Sequence, residues 1–321
     1  MNEKLNTYRG IGRRALPLLA LAAPAALPAR AQGARPLVVA TTAMVADIAR
    51  SIGGAAFTVE TLMGEGVDPH LFRPTRADLA RLLRADLVLA SGLRLEGRMT
   101  EVLERAAATR PVVAVAEALP RDDLRRHPDY PDAADPHVWM DPVLWARCAA
   151  PAAAAMAALR PGFDAAPGLA RFQAACAGLA DYARQALAPI PPESRLLVTA
   201  HDAFAYFGAR FGLEVASIQG LSTEAEASLA RIEALVAQIV SRRVAAVFPE
   251  ASVPDRAVRA LLEGAGARGQ RVALGGALFS DSMGPPGSWR GTYEGMLDHN
   301  ITTIARALGG TAPERGLRGR L

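Results

Sequence analysis

The 321-residue sequence contains almost no lysine and very little cysteine. Lys4 is the only lysine, so the chain lacks the Gly-x-x-x-x-Gly-Lys-Ser/Thr loop with which P-loop proteins hold nucleotide phosphates. It also lacks the Gly-x-Ser-x-Gly turn that presents the nucleophilic serine of α/β-hydrolases. The two cysteines, Cys148 and Cys176, do not have the Cys-x-x-Cys spacing of a thiolate metal site. These absences exclude several common nucleotide-binding, hydrolytic and metal-binding sites.

The formal net charge of +4 is confined to the start of the chain. Residues 1–31 hold five of the 36 basic residues and one of the 32 acidic residues, which leaves 31 of each sign in residues 32–321. Apart from the C-terminal Arg315, Arg318 and Arg320, the neutral remainder has no arginine cluster. The charge pattern therefore argues against a nucleic-acid partner.

Residues 1–31 are typical of an export signal. A cationic start precedes an apolar run at 15–29, which is broken by prolines and shorter than the roughly 20 residues of a membrane-spanning helix. An Ala-Arg-Ala sequence at 29–31 fits a cleavage site. We therefore predict a cleaved signal, a periplasmic mature protein and no later membrane-spanning stretch. The arginine pair at 13–14 leaves twin-arginine export and general secretion as alternatives.

Apolar β-rich runs alternate with amphipathic runs along the rest of the chain. The predicted strands are 36–41, 57–62, 86–90, 112–115, 195–199, 214–218, 244–248 and 271–275. The predicted helices between them are 43–53, 75–84, 97–108, 202–211, 224–242, 254–267 and 289–308. This alternation predicts an α/β fold with two lobes, each a four-stranded parallel sheet with flanking helices.

The middle of the chain has two helical stretches, 142–160 and 164–188, with no strand between them. The second is long enough to join the lobes as one rigid helix. The predicted organisation is a signal peptide (1–31), an N-terminal lobe (32–163), a linking helix (164–190) and a C-terminal lobe (191–321). An antiparallel pair of these helices would bring Cys148 and Cys176 opposite each other. Either a disulfide or two buried thiols would fit.

Three histidines follow predicted strands. They are His70 in Asp-Pro-His, His137 in a second Asp-Pro-His, and His201 directly after the fifth strand. Asp281 follows the last strand. Ligands of open α/β sheets lie at the carboxyl ends of the strands, so these four side chains are expected to converge between the lobes.

Three imidazoles and one carboxylate suit Zn²⁺, and also Mn²⁺ or Fe²⁺. His127, in a polar loop, and His299, on a helix, are expected to lie outside this site. Four protein ligands favour binding, because a metal-dependent hydrolase, the alternative from another class, usually keeps one position for water. Asp141, Glu250 and Asp202 are candidates for orienting the imidazoles.

The segments around these residues resemble the periplasmic zinc/manganese solute-binding proteins of ABC transporters (the cluster A-I, or cluster 9, family). The resemblance covers roughly 36–309 and is carried by the segments 68–75, 85–96, 135–142, 201–208, 280–284, 291–293 and 299–300.

This resemblance implies two α/β lobes joined by a long helix, with one divalent metal ion as cargo. It assigns the ligand roles to His70, His137, His201 and Asp281. It also implies delivery of the ion to an ABC membrane permease, and we expect a monomer without enzymatic activity. A surface adhesin with the same fold is a third functional hypothesis, which the neutral charge of the mature chain does not support.

The resemblance leaves the metal open. The His- and acid-rich loop of many zinc members is absent from residues 117–135, and the Asp-Pro-His-x-x-x-Pro-Thr form resembles the manganese branch. Many manganese members, however, have Glu where this chain has His201. Nitrogen-rich ligation favours Zn²⁺, with Mn²⁺ second.

Overall fold

The computed structural model describes residues 35–126 and 132–321, which alternate between parallel strands and helices. The predicted export signal and His127 lie outside these residues. The first half of the described chain contains, in order, β1 (Leu37–Thr42), α1 (Ala43–Gly53), β2 (Thr58–Met63), α2 (Arg76–Arg84), β3 (Leu87–Ala90), α3 (Thr100–Ala107) and β4 (Val112–Ala114).

This half forms one parallel sheet with the strand order β2-β1-β3-β4. β1 and β3 are buried along their whole length, as apolar central strands are when helices cover both faces of a parallel sheet. Thr42 ends β1 and also caps α1, because its side chain accepts a hydrogen bond from the Val45 N–H. The predicted four-stranded parallel sheet is confirmed for this half.

Two helices, α4 (Pro142–Leu159) and α5 (Ala166–Leu187), follow without an intervening strand. Contrary to expectation, α4 is long and apolar enough to span a membrane by length and composition alone. Trp145 and Ala152 on α4 are nevertheless buried, and the helix packs against α1 and α5. Its apolarity is therefore explained by its place in the core.

The second half contains, in order, β5 (Leu196–Thr199), α6 (Ala205–Phe211), β6 (Glu214–Ser217), α7 (Leu229–Ser241), β7 (Ala246–Val247), α8 (Arg256–Ala267), β8 (Ala273–Leu274) and α9 (Tyr293–Leu308). Its strands form the parallel pairs β5-β6 and β7-β8, which a single parallel bridge between Thr199 and Phe248 joins. The resulting order is β6-β5-β7-β8. β7 and β8 have two residues each and are shorter than the predicted strands 244–248 and 271–275.

Helix α5 lies between the two halves. Its 22 residues span about 33 Å. It packs against α1 and α4 from the first half and against α6 and α9 from the second. The largest hydrophobic cluster likewise takes side chains from both halves, including Leu89, Trp145, Phe207 and Ile301. Residues 35–321 accordingly form one compact unit.

Of the two alternatives for Cys148 and Cys176, the structure has the free, buried thiols rather than a disulfide. Both side chains are fully enclosed in the core cluster that includes α4 and α5. Burial raises the pKa of the Cys148 thiol to about 12 and also raises the pKa of Cys176. The thiolate is the reactive form in disulfide exchange. Because both thiols stay protonated at neutral pH, they are unreactive and contribute to the packing of the core.

Candidate metal centre

The four side chains predicted to converge do meet at one place in the fold. His70 lies in the loop after β2, His137 in the segment between β4 and α4, His201 just after β5, and Asp281 between β8 and α9. Each therefore follows the carboxyl end of a parallel strand, two in each half of the chain. One ligand atom from each residue lies within 4.8 Å of the others.

The imidazoles present their Nε2 atoms to a common point. The Nε2 atoms of His70 and His137 are 3.2 Å apart. Asp281 lies opposite them, with its oxygen atoms 3.1 Å from His201 Nε2, 3.4 Å from His137 Nε2 and 3.6 Å from His70 Nε2. His137 and His201 are completely buried, whereas Asp281 is 3% and His70 is 8% exposed.

The centre contains buried polar atoms without a partner in the described part of the chain. These are His201 Nε2 and both carboxylate oxygens of Asp281, which are not aligned for hydrogen bonding to each other. An unpaired buried polar group costs free energy, and a buried charge costs more. Three nitrogen donors and a carboxylate directed at one point are the donor set of a transition-metal ion, which would bind His201 Nε2 and at least one oxygen of Asp281. The residues thus fit a bound dication.

A carboxylate orients the His137 ring. Asp135 Oδ1 accepts a hydrogen bond from the His137 backbone N–H at 2.9 Å and lies 2.7 Å from its Nδ1. Burial disfavours the charged imidazole, but Asp135 and Asp281 outweigh it and raise the pKa of His137 to about 9. With Nδ1 bonded to Asp135, Nε2 remains for a cation, which displaces the proton it carries at neutral pH.

His201 has the same arrangement with a residue far away in the sequence. Glu250 Oε1 accepts the His201 backbone N–H at 2.9 Å, and Oε2 lies 2.5 Å from Nδ1. Despite the opposing effect of burial, Glu250 and Asp281 raise the pKa of His201 well above its usual value. The neighbouring His201 and His137 in turn hold the pKa of Asp281 well below its usual value, although burial opposes this. Asp281 is therefore ionised at neutral pH.

His70 differs from the other two histidines. Within residues 35–126 and 132–321, no carboxylate contacts its Nδ1 atom. Only its backbone is fixed, by a 2.8 Å hydrogen bond from its N–H to Asp68 Oδ1. Burial lowers the pKa of the His70 imidazole to about 3, so this ring is neutral and ready to bind a cation. It is the only one of the three imidazoles without a carboxylate partner at Nδ1 in the described structure.

Two predicted orienting residues lie elsewhere. Asp141 caps α4, accepting hydrogen bonds from the N–H groups of Val143 and Leu144, and also pairs with Arg210. These contacts occupy both of its oxygens, so it does not reach an imidazole. Asp202 follows His201 directly, and no imidazole of the described structure donates a hydrogen bond to its carboxylate.

Asp135 orients an imidazole but is not among the predicted orienting residues, although it stands two residues before His137. The same spacing recurs at Asp68 and His70. His299, expected outside the site, lies on α9 and bonds to the Ala277 carbonyl at 2.9 Å.

Glu250→Gln is expected to weaken metal binding by roughly 10- to 100-fold, the usual effect of changing a residue that orients a ligand. The amide keeps the size of the side chain but removes the negative charge that makes His201 a stronger donor. A competition titration against a chelator measures the change. Glu263→Gln, on the exposed side of α8, is the matched control. Equal affinities of the two variants would refute this role for Glu250.

Comparison with known proteins agrees with the observed fold. A family model described as ZnuA, zinc-uptake complex component A, periplasmic, matches residues 38–307. The manganese-binding lipoprotein MntA of Bacillus subtilis is 42% identical over 273 residues, which cover 84% of this chain and 89% of MntA. The zinc-binding protein TroA of Treponema pallidum is also 42% identical, over 277 residues that cover 85% of this chain and 89% of TroA.

The same fold is found among solved structures. The periplasmic zinc-binding protein TroA of Treponema pallidum superposes with a TM-score of 0.83 at 41% sequence identity, covering 86% of this chain and 99% of TroA. Residues 38–307, which the family model matches, include strands of both sheets, α5 and all four residues of the centre. The chain therefore belongs to the ZnuA family of periplasmic zinc-uptake components.

Proposed function

We propose that this protein captures one divalent transition-metal ion outside the cytoplasm and delivers it to the membrane permease of an ABC transporter. The observation that carries the proposal is the buried convergence of His70, His137, His201 and Asp281, with the Asp281 oxygens lacking any other partner in the described chain. MntA and TroA, named for binding manganese and zinc, support the same role.

Zn²⁺ is the proposed cargo, with Mn²⁺ second and Fe²⁺ an alternative. The names of the relatives do not decide between zinc and manganese, because MntA and TroA are equally identical to this chain. The donor set favours zinc, since three imidazole nitrogens and one carboxylate oxygen complete a tetrahedron. Manganese would need more oxygen ligands, which Asp281 would provide by binding through both oxygens.

The role is binding rather than catalysis. Four protein ligands leave no place in a tetrahedral shell for the water that a hydrolytic zinc enzyme activates. The proposed organisation has a cleaved signal at 1–31, an N-terminal lobe at 32–163, a linking helix at 164–190 and a C-terminal lobe at 191–321. The protein is a monomer in this proposal, and its partner is the permease.

Elemental analysis of the protein isolated from the extracytoplasmic fraction of its native cells tests the proposal. We expect about one equivalent of zinc per chain. A variant with Asp281→Asn and His201→Ala should retain none, whereas His299→Ala, which changes a histidine outside the centre, should retain the full amount. A wild-type protein that carries no transition metal and binds none in calorimetry would overturn the proposal.

A further inference from the structure

The two Asp-Pro-His segments make the same local bond but differ in what else the aspartate contacts. In each, the aspartate Oδ1 accepts the N–H of the histidine two residues later, at 2.8 Å for His70 and 2.9 Å for His137. Asp135 uses the same oxygen to hold the His137 ring. Asp68 leaves the His70 ring free and directs its other oxygen to the opposite half of the chain.

The partner of Asp68 is Thr223. Its hydroxyl donates a 2.5 Å hydrogen bond to Asp68 Oδ2 across 155 sequence positions. Thr223 lies between β6 and α7 and is only 9% exposed. The next residue, Glu224, pairs with Arg98 of the first half at 2.6 Å, and both of these side chains are exposed. This short segment therefore contacts the first half at two adjacent residues. Of these two contacts, only that of Thr223 is connected to a metal ligand, because Asp68 also bonds to the His70 backbone.

We propose that Asp68 and Thr223 form a latch that positions His70 and sets the rate at which the metal leaves. This inference rests on the proposed function of the four-residue centre. His70 is the most exposed of the four ligands and has no carboxylate behind its ring, so it is the ligand that can leave first. The latch replaces the missing contact at the ring, because it connects the His70 backbone to the second half of the chain through Asp68. Opening it frees the loop that carries His70.

Removing the latch hydroxyl should affect release more than capture. Thr223→Val keeps the shape of the side chain and removes the only donor recorded to Asp68 Oδ2 in the described structure. A hydrogen bond to a charged group is strong enough that its loss should speed dissociation about tenfold or more. The association rate should change little, because the four ligand side chains are intact. Thr223→Ser retains the hydroxyl and should release metal at the wild-type rate.

The experiment loads the full-length mature protein with Zn²⁺ and follows its release into excess chelator by stopped-flow fluorescence. Arg98→Gln is the matched control, since it breaks the neighbouring contact between the halves without touching the His70 loop. A second measurement needs no metal: hydrogen exchange at the backbone amides of His70 and Leu71 should be faster in metal-free Thr223→Val than in wild type. Thermal melts confirm that each variant is folded.

Fast release by Thr223→Val alone, with Thr223→Ser and Arg98→Gln near wild type, supports the latch. Equal release rates for Thr223→Val and wild type overturn it. Equally fast release by Arg98→Gln also overturns it, because separation of the halves would then control release. Failure of the wild type to bind zinc, manganese or iron would instead refute the proposed function.

Discussion

Replacing His201 with alanine is expected to weaken zinc binding by roughly 100- to 1000-fold. A four-ligand zinc site binds with about 10–16 kcal/mol, so an even share is about 2.5–4 kcal/mol per ligand. His201 is fully buried, and its Nε2 lies 3.1 Å from Asp281, so its removal leaves a gap in a closed centre. Competition with a chelator of known affinity measures the loss, and unchanged affinity would rule out the four-ligand centre.

The same substitution should also destabilise the metal-free protein, whereas His70→Ala should not. Without His201, the buried Glu250 loses its ring partner, and breaking a buried pair costs roughly 3 kcal/mol or more. No carboxylate of the described chain contacts His70 Nδ1, so replacing His70 leaves no buried carboxylate without its imidazole partner. Urea unfolding of both metal-free variants separates the effects. Equal destabilisation would mean that Glu250 does not depend on His201.

Saturating zinc is expected to raise the melting temperature of the wild-type protein by about 6–8 °C. Free zinc at 1,000 times the Kd stabilises the folded state by about 4 kcal/mol. In a chain of about 290 residues, an unfolding entropy of about 2.1 cal/mol/K per residue means that each kcal/mol shifts the midpoint by roughly 1.5–2 °C. Differential scanning calorimetry with and without zinc measures the shift. At the same zinc concentration His201→Ala should shift by only about 1–3 °C, because zinc is then at most about ten times its weakened Kd.

Manganese and iron(II) at the same free concentration provide the comparison between metals. We expect a smaller shift with each, because the centre offers three nitrogen donors and one carboxylate. A large shift of the melting temperature with manganese and none with zinc would mean that the cargo is manganese instead of zinc. The proposed metal-binding role would still stand. No shift with any of the three would contradict the role itself.

The α/β alternation and the four convergent residues were predictable because they depend on local pattern. Apolar runs such as Leu87–Ala90 identify buried strands, and the loops that leave the carboxyl ends of parallel strands meet at one edge. Cys148 and Cys176 mark the limit of such reasoning. Their positions about the helix turn predict proximity but not bonding, which depends on side-chain geometry within the core.

The partners of the imidazoles were less predictable. Asp68 and Asp135 stand at the same spacing before a histidine, and each accepts that histidine's backbone N–H through Oδ1. Only Asp135 Oδ1 also contacts the imidazole, whereas Asp68 bonds to Thr223 through its other oxygen. Asp202 is adjacent to His201 in sequence, but the carboxylate that holds this ring is Glu250, which the fold brings from the end of another strand. Sequence spacing describes backbone proximity, whereas the direction of a side chain depends on tertiary contacts.

The core shared by the two halves bears on how a permease could tell a loaded carrier from an empty one. Rotating the halves apart would expose apolar side chains of the shared cluster, and exposing about 400 Å² would cost roughly 10 kcal/mol. The radius of gyration should therefore be nearly the same with and without cargo. A permease could then not distinguish the loaded from the empty protein by its overall shape. Discrimination would have to come from the few exposed residues around the mouth of the centre, where the loop of His70 meets the segment of Thr223.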